Sequence, residues 1–228
     1  MSDGSRLNGR AWRKLTWLVA GPAGARHNAP HMDEQAREVV EFWFTAGENT
    51  TPTIDSRMDR WFSANPEFDA QIGARFGTLV VQASAGALDG WAASAEGRLA
   101  LILLLDQFRR HIHRGTADAF ARDQQALNLC VEGAREGVYR RLTPLQQAFF
   151  FMPLQHSENL KVQEKSVSIY GALVDGVSET LKETLLTFAQ FAELHRDIIE
   201  SFGRFPHRNP VLGRASTPEE EAYLSDGG

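Results

Sequence analysis

The sequence predicts an all-α fold of stacked antiparallel helical hairpins. Apolar residues recur at helical spacing in successive segments of about 12–20 residues, joined by short links. No segment sustains the period-two alternation of a half-buried strand, and no hairpin-type turn pair sits between apolar runs. A capping residue followed by proline recurs at Asn65-Pro66, Thr143-Pro144 and Thr217-Pro218, the signature of a helix start. No clean period of about 34 residues is visible, so a regular repeat is not predicted.

The chain has 228 residues and a net charge of -5. This acidity excludes generic nucleic-acid affinity, which needs clustered Lys and Arg. The length suffices for a sizeable core, and no apolar run reaches the roughly 18 residues of a membrane span. Cys130 is the single cysteine, so no intrachain disulfide can form; set between Leu129 and Val131, it reads as a small core residue. A cytoplasmic location is expected.

Residues 1–32 read as a flexible basic extension. Arg6, Arg10, Arg13, Lys14 and Arg26 face one acid, Asp3. The apolar patch Leu15 to Ala20 faintly resembles a signal peptide but is short and ends at Gly21-Pro22. One helical domain, residues 33–228, follows. Asp33 caps a helix with Ala36, Val39, Val40 and Trp43 on its apolar face, and Ala46 to Pro52 breaks it. Met58, Trp61 and Phe62 anchor a short helix or turn. Asn65-Pro66 starts a helix through Phe68, Ile72, Phe76, Leu79 and Val80. Ser94 or Ala95 starts the next, whose apolar run Leu99 to Leu105 passes without a break into Asp106, Gln107, Arg109, Arg110, His111, His113 and Arg114. An uncharged run of this kind is buried on all sides, which carries its polar end to the rim or floor of the core.

Thr116 is expected to cap a helix with Phe120, Leu127, Val131 and Ala134 inward. Thr143-Pro144 starts another, expected to stop before Pro153. Asn159 to about Val174 is helical, with Leu160, Val167, Tyr170 and Val174 inward. Ser178 to Phe202 is a long helix with Leu181, Leu185, Phe188, Phe191 and Ile198 as its stripe, ended by Gly203. Thr217-Pro218-Glu219-Glu220 starts a short last helix.

Three segments stand out together: Leu105-Asp106-Gln107-Phe108 with Arg110 and Arg114-Gly115-Thr116; Pro153-Leu154-Gln155-His156-Ser157-Glu158 with Gln163-Glu164; and His195, Asp197-Ile198-Ile199, then Phe202 to Asn209 and Leu212-Gly213-Arg214. In combination they closely resemble the bacterial domain-of-unknown-function 924 family, over roughly Val39 to Leu224 and including Phe42-Trp43-Phe44. The resemblance implies a tetratricopeptide-like helical fold and no established reaction. A typical member has Pro, Asn and an aromatic where this chain has Arg109, His111 and His113, so a specialised activity is expected to depend on those positions.

The polar residues have competing readings. Asp106 and Arg110, four apart, share a helix face: a structural salt bridge, or a carboxylate that orients Arg110 toward an anion. Arg114 reads as satisfying the last helix carbonyls. Ser157, Glu158 and Asn159 suit helix capping, which leaves His156 unexplained; a loop histidine beside a carboxylate suits a general base or metal ligand. His195 falls on an apolar face, as a satisfied core residue or a ligand. Arg204, His207 and Arg208 project from a short proline-stiffened loop, either tying it to helix ends or, with Arg110 and Arg214, forming an electropositive pocket in an acidic protein.

Three function classes follow. In the first, a small anionic metabolite is bound by Gln107, Arg110, Arg114, Arg204, His207 and Arg208, with His156 or His195 as acid–base group and Asp106 or Glu158 as its orienting carboxylate. The second is a helical peptide-interaction module. The third is a metal-dependent enzyme using His156, Glu158 and His195, although no standard metal-ligand spacing is present. The sequence names neither reaction nor cofactor.

Overall fold

The computed structural model describes residues 33–45 and 54–227. The elements in order are α1 (Glu34–Thr45), α2 (Ile54–Phe62), α3 (Pro66–Ser84), α4 (Ala95–Ile102), a π-helical turn (Leu103–Phe108), α5 (Arg109–Ile112), α6 (Asp123–Glu136), α7 (Pro144–Gln155), α8 (Leu160–Asp175), α9 (Glu179–Phe202) and α10 (Pro218–Ser225). Among the described residues there is no strand, and no helix is long and apolar enough to cross a membrane. The basic extension expected over 1–32 and the helix break at Ala46 to Pro52 lie outside the described residues.

The rod formed by α4, the π turn and α5 organises the fold. Helices α1, α3, α6 and α7 all pack on it. Every residue from Leu99 to Phe108 is buried, as an apolar run flanked on all sides must be; each large apolar side chain there contributes about 1.5–3 kcal/mol. An aromatic cluster closes one flank. Trp43 of α1 lies 5.4 Å from Phe108 and 5.6 Å from Phe149, and Trp61 of α2 lies 4.7 Å from Phe149. The Trp61 indole N–H donates to the Trp43 carbonyl at 3.0 Å.

Helix starts follow the local code. Asp33 accepts from the Gln35 amide at 2.9 Å, Asn65 from Phe68 at 3.0 Å and Ser94 from Gly97 at 3.0 Å. Thr143 with Gln146 and Thr217 with Glu220 form capping boxes, and Asn159 caps α8. Each such cap is worth about 1 kcal/mol. Gly203 ends α9 at φ +68, a left-handed position that a Cβ disfavours.

Tertiary packing overrode several local expectations. Thr116 does not cap: its hydroxyl donates to the His113 carbonyl at 2.8 Å, and α6 begins only at Asp123, leaving Phe120 in a turn rather than on a helical stripe. Helix α7 continues through Pro153 to Gln155. The proline removes one N–H in the last turns, while Phe149 to Leu154 are all buried, and that burial outweighs the lost bond. The buried stripe of α8 runs through Val162, Ser166, Ile169, Tyr170 and Val174, with Leu160 and Val167 only half-buried. On α9 Leu185, Phe188, Ala192, Ile198 and Ile199 are buried and Leu181 is half-buried, while Phe191 is 46% exposed. The Cys130 thiol is buried, and burial pushes its pKa up.

Helices α4, α6 and α7 meet at Gly133. A Cβ there would lie 2.5 Å from Arg98 Cδ and 2.8 Å from Phe150 Cζ. Arg98 is itself buried and tied to the Leu129 carbonyl at 3.2 Å and to Glu136 at 2.8 Å, so it cannot swing away cheaply. Gly133→Ala is expected to destabilise by about 1–2 kcal/mol in urea unfolding, the overpacking cost exceeding the helix-propensity gain of alanine. An unchanged or raised midpoint would show that Arg98 yields.

Candidate functional site

The π turn places the centre of the site. It carries Asp106, Gln107 and Phe108, all buried because the rod is enclosed on every side; such turns are frequent at functional sites. The Asp106 carboxylate is fully buried. Its Oδ1 lies 2.7 Å from His156 Nδ1 and 3.1 Å from Arg110 Nη2, and Gln107 donates its amide to Oδ2. Burial pushes the Asp106 carboxyl up, but His156, Arg110 and the hydrogen bonds outweigh it and hold the group well below the usual carboxylate range. Asp106 is therefore ionised, and the His156 Nδ1–H donates to it. Burial, reinforced by Arg110, lowers the His156 pKa despite Asp106, so the imidazole is neutral at pH 7. Its Nε2 is then the unprotonated nitrogen, and no described residue bonds to it.

His156 lines a pocket of about 330 Å³ together with the turn at Ala117–Ala121, the first turns of α6, Pro153 to Glu158, and Arg208 and Leu212. Asp123 stands in this wall. Arg110 Nη2 bonds both of its oxygens, at 3.1 and 3.2 Å, and Arg208 Nη1 donates to Oδ2 at 3.2 Å. The Arg208 guanidinium packs on two rings, 4.6 Å from Phe120 and 4.4 Å from Phe205. Its pKa falls to about 10 because it is buried and faces Arg110, and it stays charged at pH 7.

The remaining site candidates divide. Glu158 lines the pocket, but its oxygens accept from Arg214 at 2.8 and 3.0 Å and from the Phe205 amide at 2.9 Å. It anchors the 203–214 loop rather than capping α8. His195 lies behind the pocket, its ring 6.4 Å from His156 and edge-on to Phe205 at 5.3 Å. Its Nδ1 is buried without a partner, and burial, aided by His156 and Arg208, lowers its pKa to about 3. His207 is exposed beside Phe205. Arg204 lies outside the pocket, paired with Glu220 at 2.6 and 2.7 Å. Arg114 is also outside, paired with Asp69 at 2.7 and 3.0 Å rather than with helix-end carbonyls. Arg109 bonds the Asp118 carbonyl and Ser84, and His111 bonds Asp69 at 2.7 Å between Trp43 and Phe68. Neither they nor His113 line the pocket. Among the described residues, no group of three or more His, Cys, Asp and Glu side chains is placed to hold a metal ion.

Several supporting residues are given no role by the sequence, although Gln163 and Asn209 lie in the segments that stand out there. Asp123 is not singled out there, and Phe120 reads as core. Gln163, fully buried, donates to the Gln155 carbonyl at 2.8 Å and the Ser157 carbonyl at 2.7 Å, gripping the chain on both sides of His156. Asn209 is the hub of the loop: it donates to Ser216 and Glu220 and accepts from Arg214 at 2.9 Å.

Comparison with known proteins supplies a family but no reaction. A family model described as a bacterial protein of unknown function (DUF924) matches residues 39–228. No curated protein matches. A solved structure of a protein of unknown function from Agrobacterium tumefaciens is 37% identical with a TM-score of 0.72, the match covering 84% of this chain and 97% of that one. The family match spans nearly all the described residues and includes every wall of the pocket, and the chain belongs to the DUF924 family.

Proposed function

We propose that this protein binds a small anionic metabolite in the pocket between α6, the end of α7 and the 206–212 turn, with Arg208 as anchor. His156 is the acid–base group and Asp106 its orienting carboxylate; Arg110 holds that carboxylate ionised. One observation carries the reading. A single pocket contains a buried guanidinium with one hydrogen bond and an imidazole whose Nδ1 is held by a buried carboxylate while Nε2 is unbonded. Buried donors are normally satisfied, and the Asp–His arrangement fixes tautomer and orientation as a general base requires. A cytoplasmic location suits a metabolite-binding role.

Native mass spectrometry of freshly purified protein is expected to show a retained small molecule. Thermal melting against inorganic phosphate, acetate and short dicarboxylates is expected to shift upward for an anion that binds, by the equivalent of about 2.7 kcal/mol at a hundredfold excess over Kd. Arg208→Ala is expected to abolish the shift. An equal shift in the variant would remove Arg208 from the site.

A further inference from the structure

The charges around the pocket balance before any ligand enters. Asp106 bonds Arg110 at 3.1 Å, Asp123 bonds Arg110 at 3.1 Å and Arg208 at 3.2 Å, and Glu158 bonds Arg214 at 2.8 Å. Three carboxylates thus answer three guanidiniums, with His156 neutral beside them. Four of these groups form one alternating chain. It runs from Asp106 through Arg110 and Asp123 to Arg208, and His156 Nδ1 is bonded to its first member. The base of the pocket and its cation are therefore the two ends of a single network.

An anion at Arg208 upsets this balance. The Arg208 Nε is closed to solvent and Nη1 is held by Asp123, so a ligand meets the guanidinium at Nη2, where no described residue accepts. The described lining residues offer no unpaired cation to answer the added charge. An uncompensated charge in a partly buried site is costly, and a proton from solvent relieves it. His156 is placed to take that proton. Its ring lines the pocket, its Nε2 is unbonded, and the Asp106 carboxylate on Nδ1 favours an imidazolium. Arg110 repels the proton, and an anion bound beside the ring offsets that repulsion. The other charged or titratable groups around the ring are Asp123 on α6, His195 on α9, Arg208 and His207 on the 206–208 turn, and Glu158 in its own loop. Neither His195 nor His207 lines the pocket.

We propose that the pocket takes up its anion together with one proton, which resides on His156 Nε2, so that the bound anion is answered by both Arg208 Nη2 and the His156 imidazolium. This rests on the anion-pocket reading above and goes beyond it, because it makes His156 a proton donor to the bound ligand. By linkage the anion binds more tightly as pH falls, and the bound anion raises the pKa of His156 by the same coupling.

Calorimetric titration of the full chain with acetate and succinate tests the coupling, since neither ion changes protonation between about pH 7 and pH 8.5. The dependence of the heat on the ionisation enthalpy of the buffer counts the protons. Uptake is expected at about 0.5 to 1 proton per anion, with Kd rising about three- to tenfold per pH unit. His156→Gln is expected to bind without uptake and with a flat pH dependence, and His195→Phe to keep both. Nitrogen NMR of His156 without added anion gives a second reading. Arg208→Gln removes a cation from the network and is expected to raise the midpoint of the His156 titration by about half a pH unit or more; Asp123→Asn removes an anion and is expected to lower it. Loosened packing would instead move both variants toward the ordinary histidine value, and shifts of the same sign would overturn the network. Anion binding without proton uptake, or uptake that survives in His156→Gln, would overturn the coupling and leave the anion pocket standing. Binding of neither acetate nor succinate, with no small molecule retained by the purified protein, would overturn both.

Discussion

Asp106→Ala is expected to destabilise the protein by about 3–5 kcal/mol, the cost of removing one partner from a buried ionic cluster. The loss does not stem from a missing attraction alone. Asp106 is fully buried and answers three groups at once: the His156 Nδ1–H, the Arg110 guanidinium and the Gln107 amide. Deleting the carboxylate leaves a guanidinium with only Asp123 and the Ala119 carbonyl as acceptors, and leaves an imidazole N–H and an amide N–H without theirs. Asp106→Asn keeps the volume and one acceptor, so it is expected to cost less in urea unfolding. Its effect on His156 separates a structural role from an orienting one. With the charge gone, the Nδ1–H tautomer is no longer enforced, and nitrogen NMR of His156 is expected to show a mixture of tautomers. A cost below about 1 kcal/mol for Asp106→Ala would mean that the cluster contributes nothing net, as some buried ion pairs do.

Acid is expected to weaken the fold before any carboxylate titrates, and His195 is expected to account for much of the effect. Burial is the main reason its pKa lies at about 3, followed by repulsion from His156 once that ring is protonated and from Arg208. In the unfolded chain it titrates near 6.5. Below that pH the unfolded state binds the proton and the folded state does not, so stability is full above about 6.5 and falls as pH drops toward 3. The linkage amounts to about 2 kcal/mol at pH 5 and about 3 kcal/mol at pH 4. His156 is shifted in the same direction by burial and Arg110 and adds to the slope. The depressed Asp106 adds stability above the ordinary carboxylate range and loses it only below, so the interval from pH 7 to pH 5 isolates the histidines. Urea unfolding of the protein and of His195→Phe, which suits the surroundings of Phe191 and Phe205, is expected to diverge in pH dependence by that amount at pH 5. Parallel curves would show that His195 protonates in the folded state at little cost.

Much of the helix content was legible because it is written locally. Asp33, Asn65, Thr143, Asn159 and Thr217 cap as their side chains allow, and the run Leu99 to Leu105 is as buried as its lack of polar residues requires. The misreadings have a common form. Thr116, Pro153 and Phe191 each carry a clear local preference, and in each case the neighbouring helices decided otherwise. The candidate site was legible in part, since Asp106, His156 and Arg208, which the structure brings near one another, were all singled out. Arg204 and Arg114 were read with them because an arginine in a loop or at a helix end looks the same in sequence whether its fork is filled or empty. Only the positions of Glu220 and Asp69 show that these two are filled.

The sequence by itself determined the helical class, most helix starts, the buried central rod and the family. It also determined which residues have the chemistry for a site. The tertiary structure decided which of them meet. The Asp106–His156 pair, the bond from Arg208 to Asp123 and the stacking of Phe120 and Phe205 on Arg208 all join residues far apart in the chain. Capping and periodicity act within a few residues through the backbone, so a sequence displays them. Pairing of buried charges depends on which helices share a surface, and that is settled only when the core is packed.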